Sequence, residues 1–438
     1  MTETYDSSIL EELAWRGFID QITHDELDET LADDSQTVYC GFDPSASSLH
    51  VGNLVGLMAL AHFRRHGHRP IAVVGGATGL IGDPSGKDEE RELLGADDLQ
   101  HNLESISAQM DDVLTKVTRS ASGSDADEIE VLNNHDWLGE WSYIDFLRDV
   151  GKYFRVNKMI QKESVRARLE EREQGISYTE FSYMLIQAYD FLHLCEEYDC
   201  RVQIGGSDQY GNITAGTELT RRRIGETVYG VSFPLLTSAD GKKLGKSEEG
   251  AVYLDPQMTS PYDFYQYFVS ADDRDCGKLL RMFTFLPRQE IEELEATIDA
   301  GENRGEVQEK LAWEVTALIH GEEVADKVVR ASEILFGGKE IEGLGDDEVA
   351  AMFADAPSTT LDRDRLSGDG LGVLHAFVET GLQSSNAATR RLIKQGGAYV
   401  NNVRVETADT WLTAENLASE SMLVLRSGKK NYHVIRFE

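Results

Sequence analysis

The chain contains little of several residue types, and each shortage excludes a class of protein. Only 4 of its 438 residues are cysteine and only 8 are proline. Four cysteines in a chain of this length do not form the dense disulfide framework of a small secreted domain, so we expect reduced thiols in a cytoplasmic protein. No apolar run reaches the roughly 18 residues that a membrane-spanning helix needs. The acidic amino terminus does not resemble a signal peptide.

Positive charge is also scarce, since 42 Lys and Arg stand against 78 Asp and Glu, for a formal net charge of −36. A protein with this net negative charge repels a nucleic acid, and binding a nucleic acid requires cationic side chains that contact its phosphates. The imbalance is uneven along the chain. The last 58 residues, from Gly381, contain eight Lys and Arg and five Asp and Glu, so they carry +3 while the rest carries −39. Contacts to a polyanion are therefore expected near the carboxyl terminus.

Short apolar segments alternate with helical patterns from Val38 to about Leu236. The clearest strand candidates are residues 70–74, 129–132 and 200–204. This alternation predicts βα units and a mainly parallel sheet, with a ligand bound beyond the carboxyl ends of the strands. The stretch 141–198 is long and mostly helical in pattern, and we interpret it as an insertion. An α/β domain is accordingly expected over residues 1–240.

The rest of the chain divides into three parts. Residues 241–341 contain a lysine-bearing loop and then a charged helical pattern, in which Pro261 behind Ser260 indicates a helix start. Residues 342–370 are rich in Gly and Asp without a sustained period and predict a linker. A compact α+β module is expected over 371–438.

Two short motifs, far apart in the sequence, indicate a nucleotide site. The first, residues 41–53 (GFDPSASSLHVGN), follows a strand-like run and leads into an apolar helix. A strand, a Gly/Ser turn and a helix start form an anion site, because backbone N–H groups and the positive helix end point at it. The second, residues 243–247 (KLGKS), places two lysines among glycines on a loop suited to polyphosphate. Together they predict a site for ATP.

A polar stripe marks the helix predicted over residues 178–194. Tyr183, Gln187 and Asp190 recur at the spacing of one helical face, whereas the other faces are apolar enough to pack. Each buried polar group without a partner costs about 1–3 kcal/mol. The stripe therefore meets a ligand, a polar network inside the core, or water.

These motifs resemble the signatures of class I aminoacyl-tRNA synthetases. The two nucleotide motifs are similar to the HIGH and KMSKS sequences in variant form, and the surrounding residues are similar to the tyrosyl-tRNA synthetases of bacterial type. The segments that carry the resemblance are residues 39–44, 75–87, 187–190, 205–209 and 243–247. They occur in the expected order, and the resemblance covers practically the whole chain. Residues 388–397 also resemble the small RNA-binding domain named after ribosomal protein S-four.

The resemblance implies a Rossmann-like parallel sheet with a helical insertion, then a helical domain and a small α+β RNA-binding domain, in a homodimer. It implies that L-tyrosine is activated with ATP to tyrosyl-adenylate and pyrophosphate, and that tyrosine then passes to the 3′ end of tRNA(Tyr). Mg²⁺ is expected to be held mainly by the phosphates of ATP. Neither a metal site in the protein nor a tightly bound cofactor is expected, and no membrane partner.

The resemblance also implies roles for individual residues. Expected tyrosine contacts are Tyr39, Asp83, Tyr183, Gln187, Asp190 and Gln203, with Tyr39 and Asp190 on the phenolic hydroxyl. Expected ATP contacts are Gly41, Asp43, Ser45, Gly52, Gly205, Asp208, Gln209 and Lys246. Expected catalytic residues are His50, Asn53, Lys243, Lys246 and Ser247. Expected tRNA contacts are Arg390, Arg391, Lys394 and Arg404.

Four other interpretations are weighed against this one. Asn53 departs from the strict HIGH motif and is common in tryptophanyl-tRNA synthetases, although Tyr39 and Asp190 favour tyrosine. A relative that binds RNA but has lost catalysis is a second alternative, against which the two lysines, His50 and Asp190 argue. A P-loop at residues 79–87 is excluded, because Ile81 stands where its first glycine belongs. A generic NAD-binding enzyme is disfavoured because no G-x-G-x-x-G follows a first strand.

Overall fold

The chain folds into two compact units, Met1–Ala325 and Asp326–Glu438. The computed structural model describes residues 5–83, 95–122, 129–162, 165–166, 169, 175–241, 244–247, 250–303, 305–335, 339–341, 343–353, 356–428 and 431–438. Within these ranges no helix is both long enough and apolar enough to cross a bilayer.

A six-stranded sheet forms the centre of the first unit. Its strands are β1 (Gln21–Ile22), β2 (Thr37–Phe42), β3 (Arg69–Val74), β4 (Glu130–Asn133), β5 (Cys200–Gly206) and β6 (Tyr229–Phe233). The spatial order is β1-β6-β5-β2-β3-β4, and all pairs are parallel except β1 with β6. The strand order reverses between β2 and β5, and a ligand binds at such a reversal in an open parallel sheet. The parallel sheet predicted from the alternating pattern is confirmed.

Helices cover both faces of this sheet. The helices of the first unit are α1 (Ser8–Arg16), α2 (Leu27–Asp33), α3 (Val51–Arg65), α4 (Thr78–Ile81), α5 (Ala96–Ser122), α6 (His135–Leu138), α7 (Tyr143–Asp149), α8 (Val156–Met159), α9 (Tyr178–Tyr198), α10 (Tyr210–Arg223), α11 (Pro261–Val269), α12 (Asp273–Phe283), α13 (Arg288–Asp299) and α14 (Glu306–His320). Side chains of β2 alternate, so Tyr39 packs with Phe191 of α9 while Cys40 and Phe42 meet α3. A Cβ on Gly56 of α3 would lie 3.1 Å from both Cys40 and Phe42, so glycine allows α3 to approach the sheet closely.

The charged helical pattern after residue 260 forms α11 to α14, as predicted. Ser260 caps α11 by accepting the Asp263 N–H at 3.1 Å, and Pro261 occupies the first turn. Proline fits there because the first N–H groups of a helix have no partner within the helix. Two short antiparallel strands precede these helices: β7 (Lys246–Ser247), at the end of the lysine motif of residues 243–247, and β8 (Gly250–Ala251) directly after it.

The second unit is built on a five-stranded sheet of order β12-β11-β14-β15-β9. Its strands and helices are β9 (Ser358–Leu361), β10 (Leu371–Gly372), β11 (Ala398–Val400), β12 (Val403–Arg404), β13 (Trp411–Leu412), β14 (Met422–Ser427), β15 (Asn431–Phe437), α16 (Asp346–Met352), α17 (Val373–Glu379) and α18 (Asn386–Lys394), and the unit boundary falls within α15 (Glu322–Leu335). One face packs against α17 and α18, and the other against residues 334–353. The unit is therefore a mixed α+β fold.

The structure differs from the linker expected over residues 342–370. This stretch contains α16, a short 3₁₀ helix at Arg363–Leu366, and β9, which pairs in parallel with β15. Val349 and Phe353 belong to the core of the second unit. The stretch is ordered because β9 pairs with β15, a strand near the carboxyl terminus. A local composition rich in Gly and Asp does not reveal such a distant partner. The position of the domain boundary therefore stays a prediction.

Candidate active site

A cavity of about 510 Å³ opens where the strand order reverses, between β2 and β5. All six expected tyrosine contacts line it, as do the expected ATP contacts Gly41, Asp43, Ser45, Gly52, Gly205, Asp208 and Gln209, and the expected catalytic residues His50 and Asn53. Lys243 lies outside the described residues, and so do the side chains of Lys246 and Ser247. Their neighbours Leu244 and Gly245 line the cavity. The structure thus brings together residues from segments that are far apart in the sequence.

Asp190 lies at the buried end of the cavity and is only 4 % exposed. Its carboxylate accepts hydrogen bonds from Trp137 Nε1 at 2.8 Å and from Asn134 Nδ2 at 3.1 Å. Burial raises the pKa of Asp190 to about 7, although these two donors act in the opposite direction. This carboxyl group therefore titrates close to neutral pH.

Three buried polar atoms near Asp190 have no hydrogen-bond partner among the described residues. They are the hydroxyl of Tyr39 and the side-chain oxygens of Gln187 and Gln203. Burial raises the pKa of Tyr39 well above its ordinary value, so its hydroxyl stays protonated and can donate. Such unpaired groups cost about 1–3 kcal/mol each. A polar ligand that pairs with them recovers this free energy, which favours the ligand interpretation of the polar stripe.

A chain of hydrogen bonds connects Asp190 to the first nucleotide motif. Asn134 Nδ2 also donates to Thr78 Oγ1 at 3.1 Å, and Thr78 donates to Asp43 Oδ1 at 2.8 Å. The other oxygen of Asp43 accepts from the hydroxyl of Tyr183 at 3.2 Å. Asp43 is thereby held by two hydroxyl groups, in a fixed position between the buried end of the cavity and the nucleotide motif.

Several carboxylates give the middle of the cavity a negative potential. Burial raises the pKa of Tyr183 well above its ordinary value, and the charges of Asp43, Asp83 and Asp190 raise it further. Asp83 accepts a hydrogen bond from Gln209 Nε2, which joins the ends of α4 and β5 across the cavity. This surplus of negative charge suits a cationic group such as an ammonium.

The two nucleotide motifs meet at the amino end of α3. The His50 N–H donates to Asn53 Oδ1 at 3.0 Å, so Asn53 helps to start the helix with its oxygen. A Cβ on Gly52 would lie 2.8 Å from the His50 ring, so glycine makes room for the imidazole. Gly245 of the lysine motif has φ +86°, and a Cβ there would lie 3.2 Å from the backbone nitrogen of Gly52. The lysine motif therefore closes against the helix start, as the ATP prediction requires.

Hydrogen bonds of the backbone hold this junction. The Val51 N–H donates to the Val252 carbonyl at 3.0 Å, and the Val252 N–H donates to the Gly245 carbonyl at 2.9 Å. His50 and Tyr253 form an isolated antiparallel bridge. The loop is thus anchored on both sides of Lys246, at Gly245 and at Val252, next to His50.

Sequence reasoning missed Thr78, Asn134 and Trp137. Asn134 follows directly after β4, and a polar residue at the carboxyl end of a parallel strand is a recognisable signal of a ligand site. Trp137 carries no such signal, since only the fold brings its indole to Asp190. Within the described residues, no group of three or more His, Cys, Asp or Glu side chains is placed to hold a metal ion.

The second unit presents the four cations expected to contact tRNA. Arg390, Arg391 and Lys394 are exposed on α18, while Thr389 and Ile393 of the same helix are buried. Arg404 on β12 is also exposed, and its guanidinium packs against Gly396 in the turn after α18. Gly396 has φ +72°, and a side chain there would collide with Arg404. The four cations therefore lie on neighbouring elements of one unit.

Two family models match the chain. Residues 32–337 match the model described as tRNA synthetases class I (W and Y). Residues 348–435 match the model described as the tyrosine–tRNA ligase SYY-like C-terminal domain. The two matches together leave out only short segments at the ends and between the models.

Curated relatives match over their full length. The chain is 48 % identical over 438 residues to the tyrosine–tRNA ligase of Rhodopirellula baltica, covering 100 % of this chain and 98 % of the relative. It is 49 % identical over 430 residues to the tyrosine–tRNA ligase of Roseiflexus castenholzii, covering 98 % and 99 %. Identity at this level over complete chains indicates common descent and a common fold.

A solved structure shares the architecture of about three quarters of the chain. A C-terminally truncated mitochondrial tyrosyl-tRNA synthetase of Aspergillus nidulans superposes with a TM-score of 0.69 at 32 % identity, covering 75 % of this chain and 94 % of that one. A tryptophanyl-tRNA synthetase of Encephalitozoon cuniculi superposes with a TM-score of 0.52 at 12 % identity, covering 74 % and 91 %. The second likeness concerns the fold alone, so the architecture does not distinguish the two amino acids.

Proposed function

The chain belongs to the bacterial-type tyrosine–tRNA ligases, which are class I aminoacyl-tRNA synthetases, and from this premise we propose how its residues perform the reaction. A member of this family activates L-tyrosine with ATP and transfers the tyrosyl group to tRNA(Tyr). The observation that carries the proposal is the set of unpaired polar atoms beside Asp190, in a cavity reached by both nucleotide motifs.

The phenolic hydroxyl of tyrosine binds at the buried end of the cavity. It donates to the carboxylate of Asp190 and accepts from the hydroxyl of Tyr39, which has no partner among the described residues and stays protonated. Trp137 and Asn134 keep the Asp190 carboxylate in position. A phenylalanine side chain leaves these groups unpaired, and that penalty is the source of discrimination.

The α-ammonium group binds in the negative middle of the cavity. Asp83, Tyr183 and Gln187 are its contacts, with Gln203 beside them. The network around Asp43 keeps Tyr183 in place and connects the amino-acid site with the nucleotide site. The carboxylate of tyrosine then points toward the amino end of α3.

ATP binds between the first motif and β5. Gly41, Asp43, Ser45 and Gly52 line one wall, and Gly205, Asp208 and Gln209 line the other. Nothing lies within 4 Å of the position that a Cβ would take on Gly41, which leaves the space there to a ligand. The phosphates lie at the positive end of α3, against the loop with Lys243, Lys246 and Ser247.

The chemical step is an attack of the tyrosine carboxylate on the α-phosphorus of ATP. A bond forms between a carboxylate oxygen and the α-phosphorus, while the bond to pyrophosphate breaks. The carboxylate is already ionised, so the protein contributes positioning and charge stabilisation. His50, Asn53, Lys243, Lys246 and Ser247 act on the phosphates as negative charge moves to the leaving pyrophosphate. A terminal ribose hydroxyl of tRNA then attacks the carbonyl carbon, and AMP leaves.

Mg²⁺ enters with ATP as part of the substrate. It is commonly held by phosphates and water, and no acidic cluster suited to a metal exists among the described residues. The 3′ end of tRNA reaches the cavity while the exposed cations of α18 and Arg404 contact its phosphates.

We further propose that the protein is a cytoplasmic homodimer formed through the insertion at about 141–198. The large apolar side chains exposed in this region are Tyr143, Ile144, Val156, Ile160, Leu169 and Tyr178. A concentration of exposed apolar groups on one segment is typical of an interface. The four cysteines are buried and form no disulfide bonds, which agrees with a reducing compartment.

Binding of tyrosine and phenylalanine to a Tyr39→Phe variant tests the assignment of the cavity. The variant removes one hydroxyl, so tyrosine affinity should fall by roughly 5- to 10-fold, as for the loss of a hydrogen bond worth about 1 kcal/mol. Phenylalanine affinity should stay unchanged. Tyr229→Phe, which removes a hydroxyl on β6, is the matched control and should alter neither. If Tyr39→Phe and Tyr229→Phe changed the affinity for tyrosine equally, the assignment of the cavity as the tyrosine site would be contradicted.

A further inference from the structure

A row of alternating cations and aromatic rings crosses four strands of the carboxyl-terminal sheet. Strand register places Arg404 of β12 opposite Tyr399 of β11, and Tyr399 opposite Arg426 of β14. Arg426 in turn lies opposite Tyr432 of β15. Side chains opposite one another in register share one face of the sheet. This row, which we call the Arg–Tyr row, lies on the face opposite α17 and α18.

Arg426 holds the centre of the Arg–Tyr row. Its guanidinium carbon lies 3.8 Å from the centroid of the Tyr399 ring and 5.7 Å from that of Tyr432, both within cation–π distance. Its Nη1 donates to the Gly428 carbonyl at 3.2 Å, which fixes the side chain further. The Tyr399 ring is therefore supported on the side of β14 and is pre-organised as a flat surface.

On its other side, Tyr399 lies opposite Arg404 of the edge strand β12. Arg404, its neighbour there, has 53 % of its side chain exposed and packs against Gly396. Its Nε lies 3.9 Å from Oε1 of Glu406, and the Glu406 side chain is 76 % exposed, so this ion pair is weak and easily displaced. Arg404 thus connects the cationic turn after α18 with the Arg–Tyr row.

The rest of this sheet face is already covered, which sets the row apart. Met422, Val424 and Val434 pack against residues 334–353, and the partly exposed Tyr432 ring also contacts Phe353 there, at 5.2 Å between ring centroids. Tyr399 and Arg426 are partly exposed and Arg404 is exposed, and none of the three belongs to that packed cluster. Exposed aromatic rings supported by guanidinium groups are surfaces on which unpaired bases stack. In a chain of net charge −36, two arginines in such a row match an anionic partner.

We propose that the Arg–Tyr row is a stacking site for an unpaired nucleotide of tRNA, with the base on the Tyr399 ring and the adjoining phosphate on Arg404. The site extends the tRNA contact from α18 around the edge strand to the opposite face of the sheet. The proposal rests on the tRNA-binding role proposed above for the second unit.

Binding of a tRNA(Tyr) transcript to the full-length chain tests this site. Tyr399→Leu should weaken binding by roughly tenfold or more, whereas Tyr399→Phe should keep it, because stacking needs the ring and not the hydroxyl. Trp411→Leu is the matched control: it removes another aromatic ring, 53 % exposed, from a different sheet of the same unit, and should leave binding unchanged. Arg404→Gln should make the dependence of log Kd on log[KCl] shallower by about one unit.

The outcomes separate this proposal from the proposed function. If Arg391→Gln weakens tRNA binding while Tyr399→Leu does not, the stacking site is refuted and the tRNA-binding role stands. If Tyr399→Phe loses as much affinity as Tyr399→Leu, stacking is also refuted. If neither Arg391→Gln nor Tyr399→Leu changes tRNA binding, both the stacking site and the tRNA-binding role of the second unit are refuted. Tyrosine-dependent exchange of pyrophosphate into ATP should be unaffected by all these variants and serves as the check on folding of the first unit.

Discussion

Replacing Asp190 with asparagine tests the buried end of the cavity, because the two side chains have nearly the same shape and only the carboxylate carries charge. Asp190 is 4 % exposed and is oriented by Trp137 and Asn134. A hydrogen bond to a charged group contributes about 1.5–3 kcal/mol. We therefore expect Asp190→Asn to weaken tyrosine binding by roughly 10- to 150-fold. Phenylalanine has no hydroxyl to donate, so its binding should change much less.

The pH dependence of tyrosine binding follows from the raised pKa of Asp190. Burial raises this pKa to about 7, so the carboxyl group is protonated at lower pH and loses the charge that strengthens the bond to a phenolic hydroxyl. Tyrosine binding should weaken as pH falls, by up to about tenfold between about pH 8 and about pH 6. Asp190→Asn has no group to titrate at this position, and its affinity should be nearly flat over the same range.

Calorimetric titration of tyrosine at several pH values measures both effects. The control is Asp145→Asn, the same substitution at a surface carboxylate whose side chain is 46 % exposed in a pair with Arg148. It should change neither the affinity nor its pH dependence. The reasoning is refuted if wild-type affinity does not depend on pH, or if Asp190→Asn binds tyrosine as tightly as the wild type.

Four further predictions concern catalysis, domain roles, packing and the ATP site. Lys246→Ala should slow adenylate formation in single-turnover kinetics far more than it weakens tyrosine binding, and an equal loss of both would contradict a role in the transition state. Ending the chain after Leu335, ahead of the carboxyl-terminal sheet, should preserve adenylate formation and impair transfer to tRNA; a truncated chain that still charges tRNA at the full rate would oppose this. Gly56→Ala should lower the free energy of unfolding by about 1–3 kcal/mol, because the new Cβ lies 3.1 Å from Cys40 and Phe42. Gly41→Ala places its methyl group in open space and should instead raise the KM for ATP without lowering the melting temperature. A Gly41→Ala variant that loses stability, together with a Gly56→Ala variant that keeps it, would refute the packing role of Gly56 and the ATP-site role of Gly41.

Local sequence patterns predicted those parts of the site whose residues lie on a single helix or on one continuous segment. Tyr183, Gln187 and Asp190 share a helical face by spacing alone, and the structure places all three in the cavity. The first nucleotide motif could be placed because a strand, a glycine turn and a helix start follow one another directly. The chemistry of the two nucleotide motifs predicted that they form one site. The contact between Gly245 and Gly52 was not predicted, since nothing local connects two segments so far apart.

Long-range pairing explains what the sequence did not reveal. Trp137 reaches Asp190 only because α6 follows β4 at the far edge of the sheet from β1. The stretch expected as a linker contains β9, which pairs in parallel with the apolar strand β15. The composition of the stretch itself cannot reveal this partner. Asn53 is expected to act in catalysis, and the structure shows in addition that its side-chain oxygen accepts the His50 N–H at the start of α3.

Exchange of labelled pyrophosphate into ATP, measured with one amino acid at a time, tests the central claim most directly. The cavity, with Tyr39 and Asp190 at its buried end, predicts exchange that depends on tyrosine and is absent with tryptophan and with phenylalanine at equal concentration. Exchange supported by tryptophan, or by no amino acid at all, would contradict the account.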